Sequence, residues 1–512
     1  MRITNKVMQN NALININRNK ELQDTLNTEL STGKKINKPS EDPVVAIRAL
    51  RLRSDVTQVS QYSKKNVPDA QSWLELTESS VKTTLSVVKD MIEQCEKGSN
   101  DTLTTSDRQI IIDELKELRN EVYATGDADY AGRYIFTGYR TDMSLTFSGN
   151  ANEKYSITEL FGADDLEQME YVDYKNLLDL SEANFKDTAD EPLIKEQSID
   201  RYSYYRIRLS YDNLAELNGN TIQLFDGYDT NGDPMYTPYT VSEQTDKVQA
   251  YRDAQTNEDA VYFVPSAGEL VMGKKVYEAI KNSPENVKYT YDKETWKKGD
   301  LRPEHYFYCE KDDGTGSGNV IKYNESYLDG RSIDQPINYQ VGYNQEIQVN
   351  SYAEDIYKHD IGRDVDEIIN LANELTNNES MRDKLKKMSN DAEIYSEEER
   401  EIIKLDLEAA DKSVAFLKDE LQKRFSKYIT NMQSYLDDTN EAITTIGSRS
   451  ARLALISNRL DDQTTTFKTL QSENEDVDAT EAAVQLSSAQ VSYDAALMAT
   501  SEMIQKTLLN YL

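Results

Sequence analysis

The chain has 512 residues, is 38% hydrophobic and carries a formal net charge of −33. That charge argues against nucleic acid as the main partner, because phosphate binding depends on clustered Lys and Arg, and no run reaches the roughly 18 apolar residues of a membrane span. A mean hydropathy of −0.73 leaves a thin core per residue, as an elongated molecule of several domains requires.

The stretch up to Lys20 carries Arg2, Lys6, Arg18 and Lys20 and no acid, yet lacks the unbroken apolar run of a secretory signal. The expectation is that the chain stays in the cytosol or leaves by a route that reads no such signal. Asp42-Pro43 then fits a helix start, with Asp42 as N-cap and Pro43 at the first helical position. The helix it opens runs from Val44 to about Cys95, kinked near Pro68. Leu74, Val81, Leu85, Val88, Ile92 and Cys95 recur along it at the three-and-four spacing of an apolar stripe. Gly98-Ser99-Asn100 ends it, and Ser106 with Gln109 matches a capping box for a shorter helix striped by Ile111, Leu115, Leu118 and Val122. A β segment, Tyr130 to Tyr139, follows.

Between residues 146 and 350 lie 21 of the 33 tyrosines and 13 of the 20 glycines, which marks this window as the β part. Tyr205, Ile207, Leu209 and Tyr211 alternate with Arg206, Arg208 and Ser210, the period of a half-buried strand. Val261 to Val264, Tyr306 to Cys309, Val320 to Tyr323 and Ile347 to Asn350 read as further strands. Asp229-Thr230-Asn231-Gly232-Asp233 begins like a calcium loop, but Pro234 and Thr240 stand where its glycine and final glutamate belong, so it reads as a turn. Gly314-Thr315-Gly316-Ser317-Gly318 has no Lys-Ser or Lys-Thr pair after it and reads as a hairpin tip.

The two histidines, His305 and His359, do not form the His-Glu-x-x-His pattern of a zinc protease. Each reads as a strand or surface residue. Cys95 and Cys309 fall in different regions, so no disulfide framework is expected. No catalytic, cofactor-binding or metal-binding residue is predicted, and the chain reads as a non-enzyme.

After about Asp364 a returning limb carries the stripe Val414, Leu417, Leu421, Phe425, Tyr428 and Met432. Ile446, Leu453, Leu460 and Phe467 then recur every seven residues. A loop near Ser472 to Asp476 precedes a last helix with Val477, Val484, Val491 and Met498 in one row, and Leu497, Ile504 and Tyr511 one place round the face. Residues 1–65 carry a net +6 and residues 470–512 a net −6. Opposite charges favour pairing of the ends, although exposed pairs contribute only about 0–1 kcal/mol each. The expected fold class is α+β: an elongated helical coiled-coil rod built from both terminal segments, with a β-rich head inserted. The expected divisions are a terminal core segment over 1–42, disordered in the monomer, rod limbs over 43–145 and 351–472, an outer domain over 146–350 and a terminal core helix over 473–512. Residues expected to pack in assembly are Leu22, Leu26, Leu30, Leu74, Val81, Leu85, Val88, Ile446, Leu453, Leu460, Val484, Val491, Leu497, Ile504, Leu508 and Leu512.

The run Leu30-Ser31-Thr32-Gly33-Lys34-Lys35-Ile36-Asn37-Lys38-Pro39-Ser40-Glu41-Asp42-Pro43 resembles the signature near the start of bacterial flagellins and hook-associated proteins. Glu475 to Asp478, Ala489 to Leu497 and Leu509 to Leu512 resemble the matching C-terminal signature. Glu41 stands where the commoner residue is Asp, and Cys95 is unusual for the family. The run Gly132-Arg133-Tyr134-Ile135-Phe136-Thr137-Gly138 and the segment from Gly342 to Val349 resemble the hook-filament junction members more than the filament subunits. The resemblance implies a ring of subunits between another hook-associated junction protein and the first turn of flagellin, a cytosolic export chaperone, and export through the flagellar type III apparatus. A flagellin filament subunit is the alternative.

Overall fold

A computed structural model of the chain describes residues 5–100, 103–177, 199–217, 221–228, 234–312 and 319–505. The turn predicted at Asp229 to Asp233 and the tip at Gly314 to Gly318 lie outside the described residues. The helices are α1 (Asn5–Thr32), α2 (Pro43–Gln61), α3 (Val67–Gly98), α4 (Thr105–Gly126), α5 (Lys247–Thr256), α6 (Lys274–Lys281), α7 (His359–Asn390), α8 (Glu397–Glu475) and α9 (Ala479–Gln505). The fold is α+β, with long helices at both ends and a β-rich middle. Chain contacts divide it into two compact units, one of Met1–Gln71, Tyr339–Ile347 and Ala451–Leu512, the other of Ser72–Asn338 and Gln348–Ser450.

In the first unit, Asp42 caps α2 as its sequence predicts: one carboxylate oxygen accepts from the Val44 and Val45 amides, each at 3.0 Å. The expected disturbance at Pro68 takes the form of a single π-helical turn, Tyr62–Asn66, joining α2 to α3. A proline lacks an N–H and its ring crowds the carbonyl four residues back, here that of Lys64, and a wider turn relieves that crowding.

The second unit holds the larger core. Val81, Val88 and Cys95 of α3, and Val414, Leu417, Leu421, Phe425, Tyr428 and Met432 of α8, are all 4% exposed or less, so both stripes face inward. Gly98 is required where α3 ends: a Cβ there would stand 2.5 Å from the Phe425 ring. The capping box of α4 lies two residues earlier than Ser106 and Gln109 suggest. It is formed by Thr104 and Asp107, each side chain bonded to the other's backbone amide at 3.2 Å. The returning limb is broken between α7 and α8. Asp391 accepts from the Glu393 and Ile394 amides at 3.1 Å, and Ser396 with Glu399 forms a second capping box that starts α8.

The Tyr130 to Tyr139 segment contains a minimal hairpin, β1 (Asp129–Tyr130) and β2 (Arg133–Tyr134), turned by Ala131 and Gly132, both at positive φ. The middle continues with β3 (Ala151–Phe161), β4 (Leu166–Asp173), β5 (Asp200–Arg208), β6 (Thr221–Tyr228), β7 (Pro234–Glu243), β8 (Val261–Val264), β9 (Glu269–Met272), β10 (Val287–Trp296), β11 (Tyr308–Asp312) and β12 (Val320–Tyr323). They form a six-stranded sheet of order β4-β5-β9-β8-β7-β6 and a four-stranded sheet of order β10-β3-β11-β12, antiparallel except for the parallel pair β7 and β8. Phe147 stacks on Trp296 at 4.7 Å, and Tyr155 and Tyr211 meet the same ring edge-on at 5.3 and 5.2 Å. A last hairpin, β13 (Asn338–Gly342) and β14 (Gln345–Gln348), turns through Tyr343 and Asn344.

Two expectations fail in the middle. The strand carrying Arg206 and Arg208 is covered on both faces, not one. Arg206 is 3% exposed and bonds Glu167, Glu269 and Glu367 at 2.7, 2.6 and 2.7 Å, while Arg208 pairs with Asp364 at 2.7 Å. These pairs tie the six-stranded sheet to α7. Burial alone would raise the Glu367 carboxyl, but Arg206, Arg424 and Arg208 outweigh it and hold the group well below the usual carboxylate range. The histidines are likewise neither strand nor surface residues. His305 lies in a buried 3-10 turn, its Nε2 at 3.2 Å from the Ser144 carbonyl, and burial lowers its pKa to about 3. His359 begins α7, partly covered.

Glu159 gives a pH test of this unit. Its carboxylate accepts from the Ser210 hydroxyl at 2.9 Å, from the Ser210 amide at 3.2 Å and from the Tyr291 hydroxyl, yet burial lifts its pKa from 4.5 to about 7. A carboxyl whose folded pKa is raised binds its proton more tightly in the native state, so its contribution is fully present below the unfolded pKa and is lost as pH rises through about 7. Glu159→Gln, which keeps an acceptor and needs no proton, is expected to melt higher than the parent at pH 8 and no higher at pH 5. Thermal melts at the two pH values check this.

Candidate functional site

No group of three His, Cys, Asp or Glu able to hold a metal occurs among the described residues, and no helix among them is long and apolar enough to cross a membrane. The built polar feature of the first unit is where the two ends of the chain meet. Gly33, in the left-handed conformation at φ 68°, ends α1 and its amide donates to the Glu29 carbonyl at 2.8 Å. The next residues pair with the far end: the Lys35 amide donates to the Glu475 carbonyl at 2.8 Å and the Val477 amide to the Gly33 carbonyl at 3.0 Å.

Side chains lock this bridge. Arg53 of α2 grips Glu475 with both Nε and Nη2, at 2.7 and 2.6 Å, and Lys34 reaches Asp476 at 2.5 Å and Glu475 at 3.4 Å. The Lys35 ammonium donates to the Glu473 carbonyl at 2.7 Å. Hydrogen bonding from Arg53 holds the Glu475 carboxyl below its usual range, and Lys34 does the same for Asp476. The loop that supplies the lysines is itself braced, since Glu41 accepts from the Asn37 and Lys38 amides at 2.8 and 3.2 Å. The break before α9 is shorter than expected: α8 continues through Glu475, and Asp478 caps α9 by accepting from the Thr480 and Glu481 amides at 2.8 and 3.1 Å.

α1 and α9 pack along each other beyond this clasp. The covered face of α9 is Ala482, Leu486, Ala489, Tyr493, Ala496 and Thr500, at alternating spacings of four and three. That of α1 is Ala12, Ile16, Asn19, Gln23, Leu26 and Leu30, at the same spacings. Small and polar residues therefore supply more than half of the seam, and Ile16, Leu26, Leu30, Leu486 and Tyr493 supply the rest. Val484 and Val491 stand 65% and 69% exposed, Met498 72%, Leu497 41% and Leu22 49%, so the large-residue row drawn from the sequence lies off the contact within the chain. Leu26 is 4% exposed and Leu30 partly covered, so on α1 large residues fall on both sides of the division. On α2 the small Ala46 and Ala49 share the buried side with Leu52 and Val59, while Val44, Ile47 and Leu50 are exposed.

The other predicted packing residues lie inside the chain. Leu74, Val81, Val88 and Ile446 are fully buried, Leu453 and Leu460 nearly so, and Leu85 partly covered. Ile504 falls in α9; Leu508 and Leu512 lie outside the described residues. Sequence reading missed Arg53 and Lys34 as partners of Glu475 and Asp476. The net charges of the two ends are the only signal that could have pointed to them.

Residues 3–141 match the bacterial flagellin N-terminal helical region and residues 429–512 the bacterial flagellin C-terminal helical region. Flagellar hook-associated protein 3 of Salmonella typhimurium is 29% identical over 145 residues, which is 28% of this chain and 45% of that protein. The protein of the same name from Escherichia coli is 32% identical over 117 residues, 23% of this chain and 37% of the relative. A flagellin of Clostridium tyrobutyricum is 32% identical over 122 residues, 24% and 32% of the two chains. The match thus spans less than half the length of each of these relatives. Among solved structures, the flagellar junction protein FlgL of Legionella pneumophila aligns at 12% identity over 80% of this chain and 99% of its own, with a TM-score of 0.28.

The clasp can be tested apart from any assembly. Exposed ion pairs contribute only about 0–1 kcal/mol, but Glu475 sits with its side chain 3% exposed and holds two cations in place. Glu475→Ala is expected to speed proteolytic cutting before residue 40 and after residue 475, while the melting of the larger unit is unchanged. Limited digestion with mass spectrometry checks this; equal cutting rates in parent and variant would remove the clasp from the account.

Proposed function

We propose that this chain, whose two ends belong to the bacterial flagellin family, is a structural subunit of the flagellum: hook-associated protein 3, forming the junction ring between hook and flagellin filament. The observation that carries the reading is the inverted packing of the terminal helices. Their seam is rich in small and polar residues, and large apolar side chains, Val484, Val491 and Met498 among them, point outward. Fully burying one such side chain is worth about 1.5–3 kcal/mol, against about 1–2 kcal/mol to order each backbone residue, so the segments become firm only when neighbouring subunits cover every face. Incorporation is then cooperative.

Its partners in this reading are copies of itself, the other hook-associated junction protein on one side, flagellin on the other, and a chaperone before export through the flagellar type III apparatus. The terminal segments order on assembly, and the role is structural, without catalysis. The names of the Salmonella and Escherichia relatives support a hook-associated role, and the likeness to a flagellin favours a filament subunit as the second reading. The two differ in behaviour. A junction protein stays monomeric when seeded with filament fragments, and its deletion leaves hooks without filaments and flagellin in the medium. A flagellin elongates from the seeds.

Val491→Glu separates assembly from folding. The side chain is 69% exposed in the single chain, so the charge is expected to leave solubility and melting nearly unchanged. In an assembled apolar face the same charge is buried without a partner, at high cost. The variant is expected to fail to retain filaments, with flagellin leaking into the medium. Normal filaments in it would exclude the outer row of α9 from the assembled core.

A further inference from the structure

A cavity of about 390 Å³ lies in the larger unit, walled by the C-terminal half of α4, the start of α7 and the segment that follows β10. In a chain of net charge −33, six cations and three carboxylates line this space. Two of the cations are engaged. Arg119 pairs with Asp366, and Lys293 donates to the Asp212 carbonyl at 2.5 Å with the carboxylate of the same residue at 4.0 Å. The other four, Lys116, Lys297, Lys298 and Arg363, form no ion pair among the described residues.

Arg363 is held in place rather than free to turn outward. Its Nη2 donates to the Ala267 and Gly268 carbonyls at 2.6 and 3.3 Å, while its Nε is buried with no hydrogen-bond partner. A buried donor without a protein partner is costly, and a water or ligand oxygen relieves it. The imidazole of His359 adds no charge to the wall: burial and Arg363 keep its pKa near 3, and its Nε2 lies 2.8 Å from the Tyr211 hydroxyl. The rings of Tyr123 and Tyr211, the side chains of Leu301 and Ile369, and the polar groups of Asn120 and Ser210 complete the wall.

We infer that this cavity binds a small organic anion of sugar size, a phosphate or carboxylate larger than the inorganic ion, with the oxyanion against the unpaired cations. Size separates this from a bare ion. A volume of about 390 Å³ is many times the roughly 30 Å³ of one water, so inorganic phosphate would leave most of it to solvent. The site rests on the second unit alone and does not depend on the assembly role.

The test is calorimetric titration of the full chain with glucose 6-phosphate, glucuronate, inorganic phosphate and glucose at low ionic strength. Saturable binding of either charged sugar is expected, at least tenfold tighter than inorganic phosphate, with no heat from glucose; which of the two binds identifies the anion. Lys297 and Lys298 are exposed, so the double variant Lys297→Glu, Lys298→Glu keeps its melting temperature and is expected to lose at least tenfold in affinity. Absence of saturable binding to both charged sugars, equal affinity for inorganic phosphate, or unchanged binding in the double variant overturns the inference.

Discussion

The arrangement of the first unit follows from one constraint: a helix that turns its alanines toward a neighbour cannot bury its valines against that same neighbour. On α9 the alanines take the contact, and a seam of small residues brings backbones near but releases little apolar area from water. Most of what it does release comes from Leu486 and Tyr493 and, across the seam, from Ile16, Leu26 and Leu30. Leu13, Ile14, Val484 and Val491 are left on the outside. An exposed row of this kind marks a contact surface. The small area released at the terminal pair and the apolar row left outside thus have the same cause.

The second unit has the opposite character. Its aromatic cluster around Trp296 and the inward stripes of α3 and α8 bury large side chains within one chain. The Arg206 cluster adds little net stability by comparison, since desolvating three carboxylates and a guanidinium offsets most of their attraction. What it supplies is register: each arm of the guanidinium meets a different element, Glu167 on β4, Glu269 on β9 and Glu367 on α7. Removing one partner would leave the others buried and unpaired.

Much of this was legible in the residues, and the failures share a cause. Asp42 announces its cap because an N-cap is a local event, complete within three residues. The stripe from Val414 to Met432 is legible because large apolar side chains at helical spacing have few other uses. On the last helix size does not mark the contact within the chain, which selects Ala482 and Ala489. Arg206 and Arg208 mislead for a related reason, since alternation cannot distinguish a wet face from one covered by carboxylates far along the chain. The Ser396 and Glu399 box was visible in principle, a Ser-x-x-Glu ahead of an apolar run, but the returning limb was read only from its stripe.

The clasp has a further consequence for the chain between its two halves. Lys34 and Asp476 are 442 positions apart, and their contact closes nearly the whole protein into a ring. The entropy lost in closing a loop grows only with the logarithm of its length, about 0.6 kcal/mol for each doubling. Lengthening or trimming the middle therefore barely alters the equilibrium at the clasp, as long as the insert folds by itself and returns its ends to the same place. The middle can be remodelled by whole-domain gain or loss while the residues at the closure stay unchanged.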